Sequence, residues 1–229
     1  MRTLILIGIV ASFAFLGCKE KPTFHPELTG YSEPIDGILP HFQGAKMDPY
    51  WPANAERPAD LRRMSIAVFR SDSGKSDTGL SIATGKYSLV TFFYTTCEGI
   101  CPRITENMKN LSSQIKDQSD LQLLSITIDP TVDNESTLRK YRSKHNVAQE
   151  NWIFLTGDKT QIENLAREQF AAEVEASAKK GLIAFVHTEN VFLLDKEGYL
   201  RGVYRARGVG DFPRLLADLK RLRDGDRKN

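Results

Sequence analysis

The chain has 229 residues, of which 41% are hydrophobic and 26% are charged, a composition typical of one folded domain with extensions. Its 31 basic and 29 acidic side chains leave a formal net charge of +2, too small to suggest a nucleic-acid-binding surface. The sequence also lacks a recognisable glycine-rich phosphate loop. We therefore expect no nucleic-acid partner and no disordered or fibrous architecture.

The N-terminus has the pattern of an export signal. Arg2 precedes an apolar run over residues 4–16, and the small residue Gly17 stands directly before Cys18. The run is shorter than a typical bilayer-spanning helix, although an uncleaved membrane anchor is an alternative interpretation. We predict a signal peptide over residues 1–17 and lipid attachment at Cys18. The protein would then be anchored in the bacterial cell envelope, facing the periplasm or the exterior.

The segment after the signal predicts a tether. Residues 18–61 are rich in proline, glycine and turn-forming residues and show no sustained hydrophobic period, so we expect a lipid-anchored, partly ordered extension whose later part packs on the domain. The globular domain is predicted over residues 62–223, followed by a charged tail over residues 224–229. Weak alternation over residues 64–69 predicts a short strand, then a hairpin or loop and another short strand.

Two cysteines follow the first long strand pattern. Residues 89–96 are rich in β-branched and aromatic side chains, as in a buried strand, and lead to Cys97 and Cys101. Pro102 suits the first position of the helix predicted over residues 103–118, because proline lacks an N–H that would be unpaired there. Cys101 would then lie at the helix start, where the helix dipole and unpaired N–H groups are expected to lower its pKa.

The later elements alternate in the same manner. They are strands over residues 121–128 and 152–156, helices over residues 135–145 and 158–170, a hairpin over residues 190–195 and 199–206, and a last helix over residues 212–222. This order predicts an α/β thioredoxin-like fold with an inserted strand and helix, in which helices flank a central mixed sheet behind the N-terminal extension.

The spacing of the cysteines leaves redox chemistry, metal binding and incidental thiols open. With Cys18 assigned to lipid, Cys97 and Cys101 are the remaining thiols, and a disulfide across so short a loop would contribute little stability. Structural zinc is disfavoured because a closed zinc site needs four ligands. Copper(I) prefers thiolates and accepts two cysteines with one histidine, for which His187 is the candidate.

Several segments resemble the Sco/SenC family. They are residues 95–102 (TTCEGICP), residues 124–130 (LSITIDP) with Asp133, Trp152 with residues 155–157 (LTG), and His187 leading into residues 192–195 (FLLD) with Gly198. The resemblance implies a membrane-tethered thioredoxin-like domain that binds copper through Cys97, Cys101 and His187. It also implies a role in assembling the binuclear copper centre of cytochrome c oxidase, with the copper-binding oxidase subunit as partner.

Two positions depart from the family pattern. Glu98 stands where members often have proline, and its carboxylate should oppose thiolate formation while favouring a bound cation. Val186 stands where aspartate often precedes the histidine, so an acidic residue that could orient the imidazole is missing there, with Glu189 as a possible substitute.

The leading hypothesis is a copper chaperone that delivers copper to the oxidase. The rival is a thiol-disulfide oxidoreductase that reduces cysteines of the oxidase subunit or of another exported protein. In that enzyme Cys97 would attack and Cys101 would resolve the mixed disulfide, without need of His187. A copper or redox sensor is a third possibility.

Overall fold

The structure is a computed structural model, and it describes residues 34–51, 57–65, 67–115, 118–172 and 189–227. The predicted signal peptide, Cys18 and His187 lie outside these ranges. In the part of the chain that is described, no helix is long and apolar enough to cross a membrane.

The described residues form short strands and helices in alternation. The strands are β1 (His41–Gln43), β2 (Asp48–Tyr50), β3 (Val68–Ser71), β4 (Ser76–Thr78), β5 (Tyr87–Phe93), β6 (Leu121–Thr127), β7 (Trp152–Gly157), β8 (Asn190–Leu194) and β9 (Leu200–Arg205). The helices are α1 (Gly79–Ala83), α2 (Ile100–Gln114), α3 (Glu135–Lys144), α4 (Lys159–Phe170) and α5 (Phe212–Asp226).

All the elements predicted beyond residue 86 are present, with shifted ends. Helix α2 begins at Ile100, so Pro102 is its third residue and not its first, a position whose N–H also lacks a partner within the helix. Helix α2 ends at Gln114 instead of residue 118, and α5 continues to Asp226, into the segment predicted as a charged tail. The prediction missed β1, β2 and α1, which are too short to show a hydrophobic period.

Seven strands form one mixed sheet in the order β4-β3-β7-β6-β5-β8-β9. Strands β5, β6 and β7 are parallel, and their other neighbours in the sheet are antiparallel. Every residue of β5 and β6 is buried, which explains why their sequences are apolar runs and not alternating patterns. This is the mixed sheet flanked by helices that the sequence predicted.

Helices cover both faces of the sheet. Buried side chains of α2, α3 and α5 share one apolar cluster, and those of α1 and α4 share the other. Right-handed crossovers account for this division, because the chain moves across the sheet in one direction through α2 and α3 and returns through α4. Strands β5 and β6 end side by side, with Phe93 opposite Thr127, so the loops that follow them meet at one edge of the sheet.

The extension is attached near the opposite edge. The Arg201 guanidinium, at the start of β9, donates to the carbonyls of Leu39 at 2.6 Å and Pro40 at 2.9 Å. Backbone hydrogen bonds join Arg62 to Phe42 at 2.7 Å and Leu200 to Arg62 at 2.9 Å. The start of β9 is thereby covered by the extension.

Candidate functional site

Both cysteines lie where β5 passes into α2. Cys97 follows a turn in which its N–H donates to the Tyr94 carbonyl at 3.3 Å, and Cys101 is the second residue of α2. The two residues are buried, with exposed fractions of 8% and 6%, and both are free thiols. They form part of the apolar cluster beneath α2, so the sulfur atoms lie in a largely apolar environment.

The start of α2 is open toward the Cys97 sulfur. The helix N-cap is Gly99, which has no side chain to accept hydrogen bonds from the first turn. The backbone N–H groups of Gly99 and Cys101 instead donate to the sulfur of Cys97. A helix N-terminus therefore directs its unpaired donors and its positive dipole end at this sulfur.

The two thiols have opposite pKa shifts. Burial by itself would raise the pKa of Cys97, but hydrogen bonds from the Cys101 thiol, from backbone N–H groups and from the Tyr94 hydroxyl outweigh burial and lower that pKa. Burial raises the pKa of Cys101 to about 12, and this thiol also donates its proton to the Cys97 sulfur. The prediction of a lowered pKa at Cys101 is therefore wrong, because the helix start stabilises a thiolate at Cys97 instead.

Asp133 joins the two loops that carry the site. Its carboxylate is fully buried and accepts hydrogen bonds from the Thr95 N–H at 3.0 Å, from the Thr95 hydroxyl and from the Thr127 hydroxyl at 2.5 Å. Thr95 lies in the turn that leads to Cys97, whereas Thr127 is the last residue of β6. Asp133 thus ties the cysteine turn to the neighbouring strand.

This role of Asp133 was not predicted from the sequence. Burial raises the pKa of its carboxyl group against the opposing effect of the threonine hydrogen bonds, and the nearby Asp129 adds to the rise. The available signal was an aspartate shortly after a strand that ends in a threonine, but the sequence does not show which loop the carboxylate would reach. Asp129 is also buried and accepts a hydrogen bond from the Thr131 hydroxyl at 2.5 Å.

The structure brings together Cys97 and Cys101 but not the full predicted ligand set, since His187 lies outside the described residues. Within the described ranges, no group of three or more histidine, cysteine, aspartate or glutamate side chains is arranged to hold a metal ion. Glu98 is exposed, and Glu189 pairs with Arg207 at 3.3 Å. The thiol pair is the part of the predicted site that has a defined geometry.

The family model described as SCO1/SenC matches residues 71–223, a range that contains both cysteines, Asp133 and His187. The structure of a SCO1/SenC family lipoprotein from Bacillus anthracis superposes with a TM-score of 0.63 at 25% identity, covering 70% of this chain and 95% of that chain.

Two further solved structures are similar. BsSco, described as a member of the Sco family of cytochrome c oxidase assembly proteins with a disulfide switch, gives a TM-score of 0.60 at 26% identity, covering 70% of this chain and 93% of that chain. Copper-bound ScoI from Bradyrhizobium japonicum gives a TM-score of 0.58 at 23% identity, covering 70% of this chain and 99% of that chain. These similarities confirm the predicted thioredoxin-like fold. The chain belongs to the SCO1/SenC family.

Proposed function

We propose that this protein is a membrane-anchored copper-binding chaperone that delivers copper to the binuclear copper centre of cytochrome c oxidase. The observation that carries the proposal is the pair of free thiols, Cys97 and Cys101, which share a hydrogen bond at the start of α2. Thiolates are soft ligands that favour copper(I), and their apolar surroundings would limit access of water to the ion. Copper is the cargo of this site and not a resident cofactor.

The proposed ligands are the sulfur atoms of Cys97 and Cys101 together with the imidazole of His187. Copper binding is supported by the copper-bound structure of ScoI, which has the same fold. Lipid attachment at Cys18 is supported by the SCO1/SenC family lipoprotein of Bacillus anthracis. The association of BsSco with oxidase assembly supports the copper-binding subunit of cytochrome c oxidase as partner.

Copper titration of the reduced protein tests the ligand set. We expect one copper ion per chain in the wild type, loss of binding in Cys97→Ser and Cys101→Ser, and weaker binding with a changed spectrum in His187→Ala. His145→Ala is the matched control, since His145 packs on Tyr141 with ring centroids 4.3 Å apart and is not a proposed ligand. A His187→Ala variant that binds copper with unchanged affinity and spectrum would falsify the three-ligand site.

Copper delivery is tested by measuring copper transfer to the oxidase subunit. Copper-loaded protein is mixed with the copper-free soluble domain of the oxidase subunit, and the spectrum of the binuclear centre is followed. Formation of that centre supports the chaperone, whereas retention of copper by this protein under all redox conditions argues for a sensor.

A second candidate is a thiol-disulfide oxidoreductase, favoured by the direct hydrogen bond between the two thiols and by the disulfide switch described for BsSco. The Cys97 thiolate would attack a partner disulfide, forming a mixed disulfide and releasing one partner thiolate. Cys101 would then lose its proton and attack the Cys97 sulfur, releasing the second partner thiolate. Two electrons pass to the partner, and Cys97 and Cys101 end as a disulfide.

His187 separates the two candidates. Reduction of the oxidised oxidase domain is measured by thiol titration with wild type, Cys97→Ser and His187→Ala. Reduction that needs Cys97 but not His187, combined with failure to transfer copper, would replace the chaperone with the oxidoreductase.

A further inference from the structure

An exposed apolar patch lies where the described chain begins. It consists of the exposed Ile35 and Ile38 together with the partly buried Trp51 and is called the extension patch below. Ile35 and Ile38 are 38% and 52% exposed, while most large apolar side chains of the described residues are buried. Single exposed apolar residues are common on protein surfaces, so the informative feature is that two exposed isoleucines share one short turn.

Hydrogen bonds hold the extension patch together. The Ile38 N–H donates to the Ile35 carbonyl at 3.1 Å, which closes a turn with both isoleucines. The Trp51 indole N–H donates to the Ile38 carbonyl at 2.8 Å and so brings the indole ring against the same turn. Two exposed isoleucines and a partly buried tryptophan are therefore joined through one turn.

The extension patch is also fixed to the domain. Arg201 donates to the carbonyls of Leu39 and Pro40, directly after the turn, and its guanidinium forms an ion pair with Asp195 at 2.9 Å. The side chains of this ion pair are only 11% and 8% exposed, so the attachment is buried. The patch therefore has a defined orientation relative to the sheet.

We propose that the extension patch docks on the lipid surface to which the protein is anchored. The proposal rests on the proposed lipid attachment at Cys18, and residues 19–33 can span at most about 50 Å, which keeps the patch within reach of the bilayer. Aliphatic side chains next to a tryptophan are suited to the membrane–water interface, where an indole lies at headgroup level. The turn contains Asp36 and no basic residue, so neutral lipids suffice.

Docking would orient the copper site. Strand β9 begins near the patch, with Arg201 as its second residue. It ends with Arg205, at the same end of the sheet as the end of β5, which leads to the cysteines. With the patch on the bilayer, Cys97 and Cys101 are held at the end of the sheet that faces away from the lipid. A partner domain then approaches the thiols without displacing the anchor.

The tryptophans provide the measurement. The chain has only Trp51 and Trp152, and Trp152 is 1% exposed. Full-length lipidated protein is reconstituted into phosphatidylcholine vesicles with lipids brominated near the headgroup end of their acyl chains. We expect quenching of wild-type tryptophan emission, loss of the quenched fraction in Trp51→Phe, and loss of quenching in Ile38→Glu. Lipids brominated near the methyl end should quench less, because an interfacial side chain lies at shallow depth.

A matched control variant tests whether the quenching is specific to the patch, and vesicle flotation separates failure of patch docking from failure of the lipid anchor. Val68 on β3 is 50% exposed, close to the value for Ile38, so Val68→Glu should leave the quenching unchanged. Protein that floats with the vesicles but shows no quenching overturns patch docking and leaves the anchor intact; equilibrium sedimentation then shows whether a second copy covers the patch. Protein that does not float overturns the lipid anchor, and patch docking fails with it.

Discussion

At the cysteine end of the sheet, Cys97 and Asp133 are buried among groups that donate hydrogen bonds to them. At the extension end, His41 is equally buried, but neither ring nitrogen has a hydrogen-bond partner among the described residues. Its neighbours are Tyr199, with ring centroids 5.5 Å apart, and the cation Arg201. Burial, then Arg201 and Arg57, lower the pKa of His41 to about 3.

The two ends show that burial does not by itself make a group reactive. Burial disfavours the charged form of every titratable group, and this effect is opposed by hydrogen bonds or opposite charges that favour the charged form. At Cys97 the helix start, the second thiol and the Tyr94 hydroxyl supply such donors, so the thiolate is favoured. His41 has no hydrogen-bond partner among the described residues and lies near the cations Arg201 and Arg57, so it stays neutral, which suits a packing role.

The largest expected effect is a difference in reactivity between the two thiols. The pKa of Cys101 is about 12, against an ordinary value of 9.0, and that of Cys97 is lowered. Three pKa units correspond to about a thousandfold in thiolate fraction, of which the weaker nucleophilicity of a low-pKa thiolate removes about 30-fold, so iodoacetamide at pH 8 should modify Cys97 at least about 30-fold faster. Mass spectrometry of the reduced wild type measures the order of modification.

Urea-unfolded protein is the control for this experiment, because both thiols should then react at similar rates. As pH rises toward 12, the Cys101 thiolate fraction increases and the difference should shrink. Equal rates in the folded protein at pH 8 would contradict the proposed division between the two sulfur atoms.

The second effect is expected at Arg201, which attaches the extension to the start of β9. Arg201→Met leaves the buried Asp195 carboxylate without its cation and removes the donors to the Leu39 and Pro40 carbonyls. Loss of one partner from a buried ion pair costs about 3–5 kcal/mol, and urea denaturation measures that loss in free energy of unfolding. Arg57→Met is the control; it breaks an exposed pair with Glu197 and should cost less than about 1 kcal/mol.

Acid should weaken the extension end through His41. The unfolded histidine binds a proton near pH 6.5 and the folded one only near pH 3, so the stabilisation is complete above 6.5 and is lost as pH falls toward 3. His41→Phe keeps an aromatic ring against Tyr199 and cannot be protonated. Between pH 7 and pH 4, the wild type should lose about 3 kcal/mol more unfolding free energy than His41→Phe. Parallel pH dependences would show that His41 is protonated in the folded state.

The smallest effect is expected at Asp133. Asp133→Asn keeps one acceptor oxygen and leaves a buried threonine donor unpaired, which should cost about 2 kcal/mol in chemical denaturation. The altered turn should also change the alkylation rate of Cys97. Thr127→Val removes one of the hydrogen bonds to Asp133 and the acceptor of the Asp129 N–H, and should cost about 2 kcal/mol with little effect on Cys97. Unchanged Cys97 reactivity in Asp133→Asn would limit Asp133 to a purely stabilising role.

Local sequence determined the elements from β5 onward. Apolar runs predicted the buried strands β5 and β6. The two thiols were also visible in the sequence, although their spacing left redox chemistry, metal binding and incidental thiols open. These features depend on residues that are close together in the chain, so the local sequence is sufficient to predict them.

Only the tertiary structure decided how the site works. The opposite pKa shifts of Cys97 and Cys101 depend on which sulfur receives the helix donors and which is more deeply enclosed. The role of Asp133 depends on two loops that meet because β5 and β6 are parallel neighbours. The short strand β1 is likewise ordered against β9, more than 150 residues later in the chain. Such contacts join residues far apart in sequence, and no local pattern records which of them will be paired.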